Sequence, residues 1–153
     1  MTIDATVTLI ETEKELLEIV PLKQADDSEA IGKPISAGNG LDKIMRLNGP
    51  SYNFWIVRVN GAPVGYAVGK RDGERYKGEG VYVTPEQRGI GIGPLALQRQ
   101  VDYAKAHGFI EFWSVVSGEN RHSIKMLQKL GFKFEPSGQG YEVRLKLQEE
   151  ILI

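Results

Sequence analysis

The chain of 153 residues contains no cysteine. That absence excludes disulfide bonds, thiolate metal sites and a cysteine nucleophile, and no other metal site is predicted. No apolar run approaches the roughly 20 residues that a membrane-spanning helix needs, so we expect no membrane association. The N-terminus lacks the basic and then apolar order of a signal peptide, which favours a cytoplasmic protein.

A strong net charge is also missing. The formal net charge is −1 at pH 7, so the chain lacks the basic footprint that nucleic-acid binding requires. The charge is nevertheless unevenly distributed, because residues 1–50 carry nine acidic and five basic side chains and residues 51–153 carry eleven and fourteen. A basic C-terminal part suits an anionic ligand and an acidic N-terminal part a cationic one, unless the asymmetry is chance surface composition.

The most informative feature that is present is the glycine-rich turn Arg88-Gly89-Ile90-Gly91-Ile92-Gly93. It follows the strand-like run 81–83 and precedes a helical pattern from Pro94 to His107. Glycines let the backbone approach a ligand closely, and the unpaired N–H groups of a helix start carry a partial positive charge. The sequence therefore predicts a site for phosphate or pyrophosphate.

Two common phosphate motifs fit this turn poorly. The dinucleotide fingerprint G-x-G-x-x-G is followed about 20 residues on by an acidic residue, where this chain has Trp113-Ser114-Val115. The loop of nucleotide hydrolases continues with Lys and then Ser or Thr, whereas Pro94 follows Gly93 here. Hydride transfer and nucleotide hydrolysis are therefore not expected.

The same turn resembles the acyl-CoA loop of the GCN5-related N-acetyltransferase (GNAT) family, Gln/Arg-x-x-Gly-x-Gly/Ala. A second block, Asn120 to Phe132, resembles the family's Asn-x-x-(Ala/Ser)-Ile…Lys-Leu-Gly-Phe, and the two blocks have the right order and spacing. The resemblance covers about residues 50 to 147, and the first fifty residues are only compatible with it. It implies a single N-acetyltransferase domain over residues 1–153, with residues 20–50 on the substrate side.

The predicted elements agree with the fold that this family has. They give a mixed α/β arrangement with a central, mostly antiparallel sheet of six or seven strands, including a hairpin at Asn60-Gly61. About four helices flank the sheet, one opened by the capping box Thr12-x-x-Glu15 and one capped by Asn120. Five aromatic side chains are expected mainly in the core: Phe54, Trp55, Phe112, Trp113 and Phe132.

The resemblance implies acetyl-CoA as the co-substrate. The CoA pyrophosphate would lie against the backbone N–H groups of Arg88, Gly89, Ile90, Gly91, Ile92 and Gly93, with a charged contact from the Arg88 side chain. The pantetheine arm would pair with the backbone of Val81, Tyr82 and Val83 and contact Asn120. Many relatives carry Ser or Thr where this chain has Pro94, so the cradle loses one N–H donor.

The catalytic groups follow less directly from the motifs. The family's usual proton donor is a Tyr seven residues after the Asn, and Leu127 stands there in this chain. Members that act on protein N-termini often carry Glu five residues before the Asn, where this chain has Val115. The favoured base is Glu79, with Tyr141 or Ser117 as the acid. A change of Leu127 to Tyr should be tolerated if only a proton donor is missing.

Together these features predict an acetyl-CoA-dependent N-acetyltransferase that acylates a primary amine of a small molecule by direct attack in a ternary complex. Amino acids, polyamines and aminoglycosides all fit as acceptors. Two alternatives stay open, an acyl-CoA-binding or regulatory module without turnover, and a peptide or protein lysine acetyltransferase. The apolar tail 151–153 leaves a homodimer open as well.

Overall fold

A computed structural model describes residues 4–10, 14–15, 18 and 52–148. These residues contain the strands β1 (Ala5–Leu9), β2 (Tyr52–Val59), β3 (Ala62–Asp72), β4 (Arg75–Val83), β5 (Glu111–Ser117), β6 (Lys133–Ser137) and β7 (Gly140–Lys146). They also contain the helices α1 (Ile92–Ala106) and α2 (Arg121–Lys129) and the 3-10 turn Pro85–Gln87.

Residues 14, 15 and 18 are helical, in agreement with the helix that the capping box Thr12-x-x-Glu15 predicts. The substrate-side segment predicted for residues 20–50 and the apolar tail 151–153 lie outside the described residues.

The strands form a seven-stranded sheet in the order β1-β2-β3-β4-β5-β7-β6. The pairs β1/β2, β2/β3, β5/β7 and β6/β7 are antiparallel, and β4/β5 is parallel. A parallel pair needs a crossover connection, which α1 supplies between β4 and β5. The mixed, mostly antiparallel sheet is confirmed at seven strands. The predicted count of about four helices is too high for the described residues. Only two α-helices, α1 and α2, lie with their first and last residues within that part of the chain.

The chain divides into two compact units. The first unit consists of Met1–Lys70 and Glu79–Arg99, and the second of Arg71–Gly78 and Gln100–Ile153. The strands β3 and β4 and the helix α1 each contribute residues to both units. The single domain over residues 1–153 stays a prediction.

The core of the first unit contains a cluster of aliphatic side chains. Val57, Val59, Val64, Val83, Ile92 and Ala96 form one buried cluster, against which Ala5, Val7 and Val81 are partly buried. The hairpin between β2 and β3 is confirmed, because Asn60 and Gly61 both have positive φ, 51° and 83°. That backbone conformation is the one a two-residue hairpin turn requires and Asn-Gly favours.

The core of the second unit contains a cluster of aromatic rings. Tyr76 packs against Tyr103, Phe109 and Phe112 with ring centroids 5.7, 5.4 and 5.8 Å away. Phe112 in turn contacts Phe132 edge-on at 5.9 Å. Such tilted and edge-on pairs are the arrangements that aromatic quadrupoles favour.

Trp113 is the one residue of the predicted aromatic core that the structure places elsewhere. Phe54, Trp55, Phe112 and Phe132 are buried, as predicted. Trp113 is half-buried, and the Arg75 guanidinium and the Lys77 ammonium lie 4.6 and 5.0 Å from its ring centroid. Successive residues of a strand face opposite sides, so β5 cannot bury both Phe112 and Trp113 in one core.

Candidate cofactor-binding site

The glycine-rich turn joins the end of β4 to the start of α1 in the first unit. Gly89 and Gly91 have φ of 82° and 91°, a conformation that side chains with a Cβ rarely adopt, so the turn requires glycine at both positions. A Cβ at Gly89, Gly91 or Gly93 would meet no described atom within 4 Å. Among the described residues, the turn therefore leaves room for a ligand beside its glycines, as an anion cradle requires.

The helix α1 begins at Ile92, two residues before the predicted start at Pro94. The Leu95 N–H donates to the Gly91 carbonyl at 3.2 Å and closes the first helical turn. The N–H groups of Ile92 and Gly93 belong to that turn and have no helical carbonyl to bind, which leaves them for a ligand. Pro94 breaks no helical hydrogen bond at this position, which is why a proline is tolerated there.

Arg88 ties the turn to the end of β4. Its Nε donates to the Val83 carbonyl at 2.8 Å, and its guanidinium carbon lies 5.7 Å from the Tyr82 ring centroid. The side chain therefore has a structural role in holding the turn. The predicted contact with phosphate would fall to its two terminal nitrogens.

The last residues of β4 are fixed by β3 within the first unit. The Tyr82 side chain is fully buried and its ring centroid lies 5.4 Å from that of Tyr66, so only its backbone could face a cofactor. A Cβ at Gly65 would lie 2.2 Å from the Tyr82 carbonyl oxygen, which shows how closely the two strands approach. Glu79, the predicted base, lies earlier on β4 and is half-buried.

Ser117, the last residue of β5, lies close to Asn120, which ends the loop between β5 and α2 in the second unit. The Asn120 N–H donates to the Ser117 carbonyl at 3.0 Å. The Asn120 Oδ1 accepts from the Ser123 N–H at 3.1 Å, so the predicted N-cap of α2 is confirmed. Because the cap uses Oδ1, a contact of Asn120 with pantetheine would be made by its Nδ2 amide.

The two predicted proton donors lie on opposite faces of the sheet. In the β5/β7 ladder Tyr141 is paired with Val116 and Ser117 with Gly140. Directly paired residues share a face and successive residues alternate, so the Tyr141 and Ser117 side chains point in opposite directions. The Tyr141 ring packs edge-on against Phe134 at 5.5 Å. At most one of the two can therefore serve a given reaction centre.

Leu127 occupies a core position of the second unit. It is only 5% exposed and is the buried residue of α2. Its carbonyl also accepts the Phe132 N–H at 3.1 Å, where the chain leaves the helix. Leu127 therefore has a packing role. The expectation from the sequence that tyrosine is tolerated at this position is abandoned.

Leu127→Tyr should destabilise the protein by about 2 kcal/mol, because it inserts a larger side chain and a hydroxyl into a packed position. For a chain of this size the melting temperature should fall by about 4–8 °C. Thermal unfolding followed by circular dichroism measures the change. Gln128→Tyr, on the exposed neighbour, is the control and should melt like the wild type. Equal melting of the two variants would contradict the core assignment.

Across residues 4–10, 14–15, 18 and 52–148, no three His, Asp or Glu side chains are grouped to hold a metal ion. No helix in the same part of the chain is both long and apolar enough to cross a membrane.

Comparison with known families identifies the class to which this fold and turn belong. The model of the acetyltransferase (GNAT) family matches residues 22–132, which include both sequence blocks. The match covers well over half of the chain, and the protein therefore belongs to the GNAT family.

Two curated relatives carry related names. An uncharacterized N-acetyltransferase of Methanocaldococcus jannaschii is 31% identical over 100 residues, which cover 58% of this chain and 42% of that protein. A type 1 aminoglycoside N(6′)-acetyltransferase of Acinetobacter genomosp. 13 is 44% identical over 54 residues, which cover 35% of this chain and 37% of that protein. The chain spans less than half the length of either relative.

One solved structure shows the same fold over almost the whole chain. The spermidine N-acetyltransferase of Vibrio cholerae, in complex with CoA and spermine, superposes with a TM-score of 0.74. The match covers 94% of this chain and 95% of that one at 14% identity. At that identity the likeness concerns the fold alone.

Proposed function

We propose that this protein is an acetyl-CoA-dependent N-acetyltransferase that acylates a primary amine of a small molecule. The observation that carries the proposal is the turn before α1, where Gly89 and Gly91 have positive φ and a Cβ at Gly89, Gly91 or Gly93 would meet no described atom within 4 Å. The N–H groups of Ile92 and Gly93, at the start of the helix, have no helical carbonyl to bind. Phosphate and pyrophosphate groups bind at helix starts of this kind, and acyl-CoA contains a pyrophosphate. Membership of the GNAT family supports the same co-substrate.

In this proposal each part of the cofactor has its own binding residues. The backbone N–H groups of residues 88–93 bind the pyrophosphate, with a contribution from the terminal nitrogens of Arg88. The backbone of residues 81–83 pairs with the pantetheine arm, and the Asn120 Nδ2 donates to the same arm. Pro94 supplies no donor, so the first turn of α1 contributes through Ile92 and Gly93.

The reaction needs one base and little acid. The amine nitrogen attacks the thioester carbonyl carbon, an N–C bond forms, the C–S bond breaks and CoA leaves as the thiolate. The proton of the attacking amine passes to Glu79, directly or through one water, and the thiolate takes a proton from Tyr141, Ser117 or solvent. A thiolate is a good leaving group, so loss of an acid should cost less than loss of the base. No cysteinyl intermediate arises, because the chain has no cysteine.

The proposed acceptor is a small molecule rather than a protein N-terminus. Val115, which replaces the Glu of members acting on N-termini, is 58% exposed and offers no carboxylate. The curated relative from Acinetobacter is named for an aminoglycoside, which is a small molecule with several primary amines. Amino acids, polyamines and aminoglycosides all remain within the proposal.

A binding assay run beside a turnover assay tests the proposal. Thermal shift is measured with acetyl-CoA, CoA and NAD, and thiol release from acetyl-CoA is measured with pooled amines. At a concentration 100 times Kd, a ligand stabilises by about 2.7 kcal/mol, which should raise the melting temperature by about 5–10 °C. Both CoA species should stabilise, NAD should not, and one amine pool should release thiol.

Three outcomes would change the interpretation. Stabilisation by CoA without thiol release from any pool, including a lysine peptide pool, would favour the acyl-CoA-binding module. Release with the lysine peptide pool alone would favour a protein lysine acetyltransferase. Absence of stabilisation by either CoA species would overturn the proposed cradle.

A further inference from the structure

Two glycines outside the motif meet where β5 ends and β7 begins. Ser117 and Gly140 form the last pair of the β5/β7 ladder. A Cβ at Gly140 would lie 2.1 Å from the Val116 carbonyl oxygen and 3.0 Å from both the Ser117 Cα and the Gly118 nitrogen. All three are backbone atoms that cannot swing aside, so only glycine permits this approach.

Gly118 also approaches the turn between β6 and β7 closely. A Cβ at Gly118 would lie 2.8 Å from the Gln139 carbonyl oxygen and 3.8 Å from the Gly140 Cα. The Gly118 N–H donates to that same Gln139 oxygen at 3.1 Å. The turn between β6 and β7 is therefore in direct backbone contact with the loop that follows β5.

This contact determines where Asn120 lies. The loop is a tight turn, in which the Asn120 N–H donates to the Ser117 carbonyl at 3.0 Å and the Glu119 N–H to the Ser117 Oγ at 3.3 Å. Asn120 then caps α2 through Ser123. Any shift of the backbone at Ser117 and Gly118 is therefore passed to the Asn120 side chain.

We propose that Gly118 and Gly140 are a positioning pair, which uses the β6–β7 turn to place Asn120 for its contact with the pantetheine arm of acyl-CoA. The pair acts through Asn120 and touches neither co-substrate. The proposal rests on the proposed function, because it assumes that Asn120 binds CoA. Beyond that function, it states that the β6–β7 turn controls the affinity for the pantetheine arm of CoA and leaves the affinity for the nucleotide part unchanged.

The test compares two ligands that differ only in the pantetheine arm. CoA contains both the pyrophosphate and the arm, whereas 3′-phosphoadenosine 5′-diphosphate contains the pyrophosphate without the arm. A general loss of folding or of the cradle would weaken both ligands alike. A displaced Asn120 would weaken CoA alone, so the ratio of the two Kd values separates positioning from stability.

Three variants and the wild type are measured by calorimetry with both ligands. Gly140→Ala should weaken CoA about 10-fold, the effect expected from losing one hydrogen bond. Asn120→Ser keeps an N-cap through its hydroxyl but removes the amide, and it should show the same selective loss. Gly138→Ala is the matched control, since that residue of the same turn has φ of 58° and a Cβ there meets no described atom within 4 Å. It should leave the ratio unchanged.

The outcomes distinguish this inference from the function on which it rests. A selective loss in Asn120→Ser but not in Gly140→Ala would overturn the positioning pair and leave the proposed function standing. An unchanged ratio in Asn120→Ser would overturn both the Asn120 contact and the pair. If wild type bound neither ligand, the proposed function itself would be wrong. Should Gly140→Ala fail to fold, Gly118→Ala takes its place, because its 2.8 Å clash is with a single carbonyl oxygen.

Discussion

Gly91→Val is expected to abolish CoA binding while the protein stays folded. Gly91 has φ of 91° and stands at the start of α1, where the valine side chain would fill the open space assigned to the pyrophosphate. The strained backbone should cost about 1–3 kcal/mol, which a domain stabilised by about 5–15 kcal/mol tolerates. Calorimetric titration with CoA should show a Kd raised at least about 100-fold, which corresponds to a loss of about 2.7 kcal/mol.

A control variant at a second glycine distinguishes the effect of backbone strain from the effect of losing the ligand site. Gly73, in the turn between β3 and β4, also has positive φ, 60°, and a Cβ there likewise meets no described atom within 4 Å. Gly73→Val therefore introduces similar strain outside the proposed cradle and should bind CoA as the wild type does. If Gly91→Val bound CoA with the affinity of Gly73→Val, the turn would not be the pyrophosphate site.

The sequence alone predicts well those features that depend on a few neighbouring residues. The Asn60-Gly61 hairpin, the N-cap at Asn120 and the strand–turn–helix around Gly91 each depend on backbone preferences within about four residues. The sequence predicts the start of α1 two residues late, because Pro94 is a strong helix-start signal. A proline is also tolerated elsewhere in the first turn, and here the helix begins at Ile92.

The features that sequence did not predict depend on strand register. Trp113 and Phe112 are adjacent aromatic residues, and only the pairing of β5 with β4 and β7 decides which of them faces the core. The close approach of Gly118 and Gly140 also requires Ser117 to pair with Gly140, a contact between residues more than twenty positions apart. In the sequence both glycines look like ordinary turn residues.

The candidate catalytic groups show the same limit. By residue type Tyr141 and Ser117 are equivalent candidates for the acid, but the ladder places their side chains on opposite faces of the sheet. In the sequence Leu127 stands where a proton donor is expected, whereas in the structure it is a buried residue of α2. Residue type thus identifies which side chains can donate or accept a proton. The face of the sheet or helix on which a side chain lies decides whether it can reach a reaction centre.

Glu79→Gln is expected to lower kcat about 100-fold at pH 7 without changing CoA affinity, because the amide cannot accept the proton of the attacking amine. A primary amine with a pKa of about 10 is almost fully protonated at pH 7 and increasingly neutral towards pH 10. The loss should therefore shrink as pH rises, since more acceptor already lacks the proton. Glu74→Gln, which removes the same charge from an exposed residue of the β3–β4 turn, should leave the pH profile unchanged. A wild-type profile for Glu79→Gln would remove Glu79 from the mechanism, and solvent would then be the base.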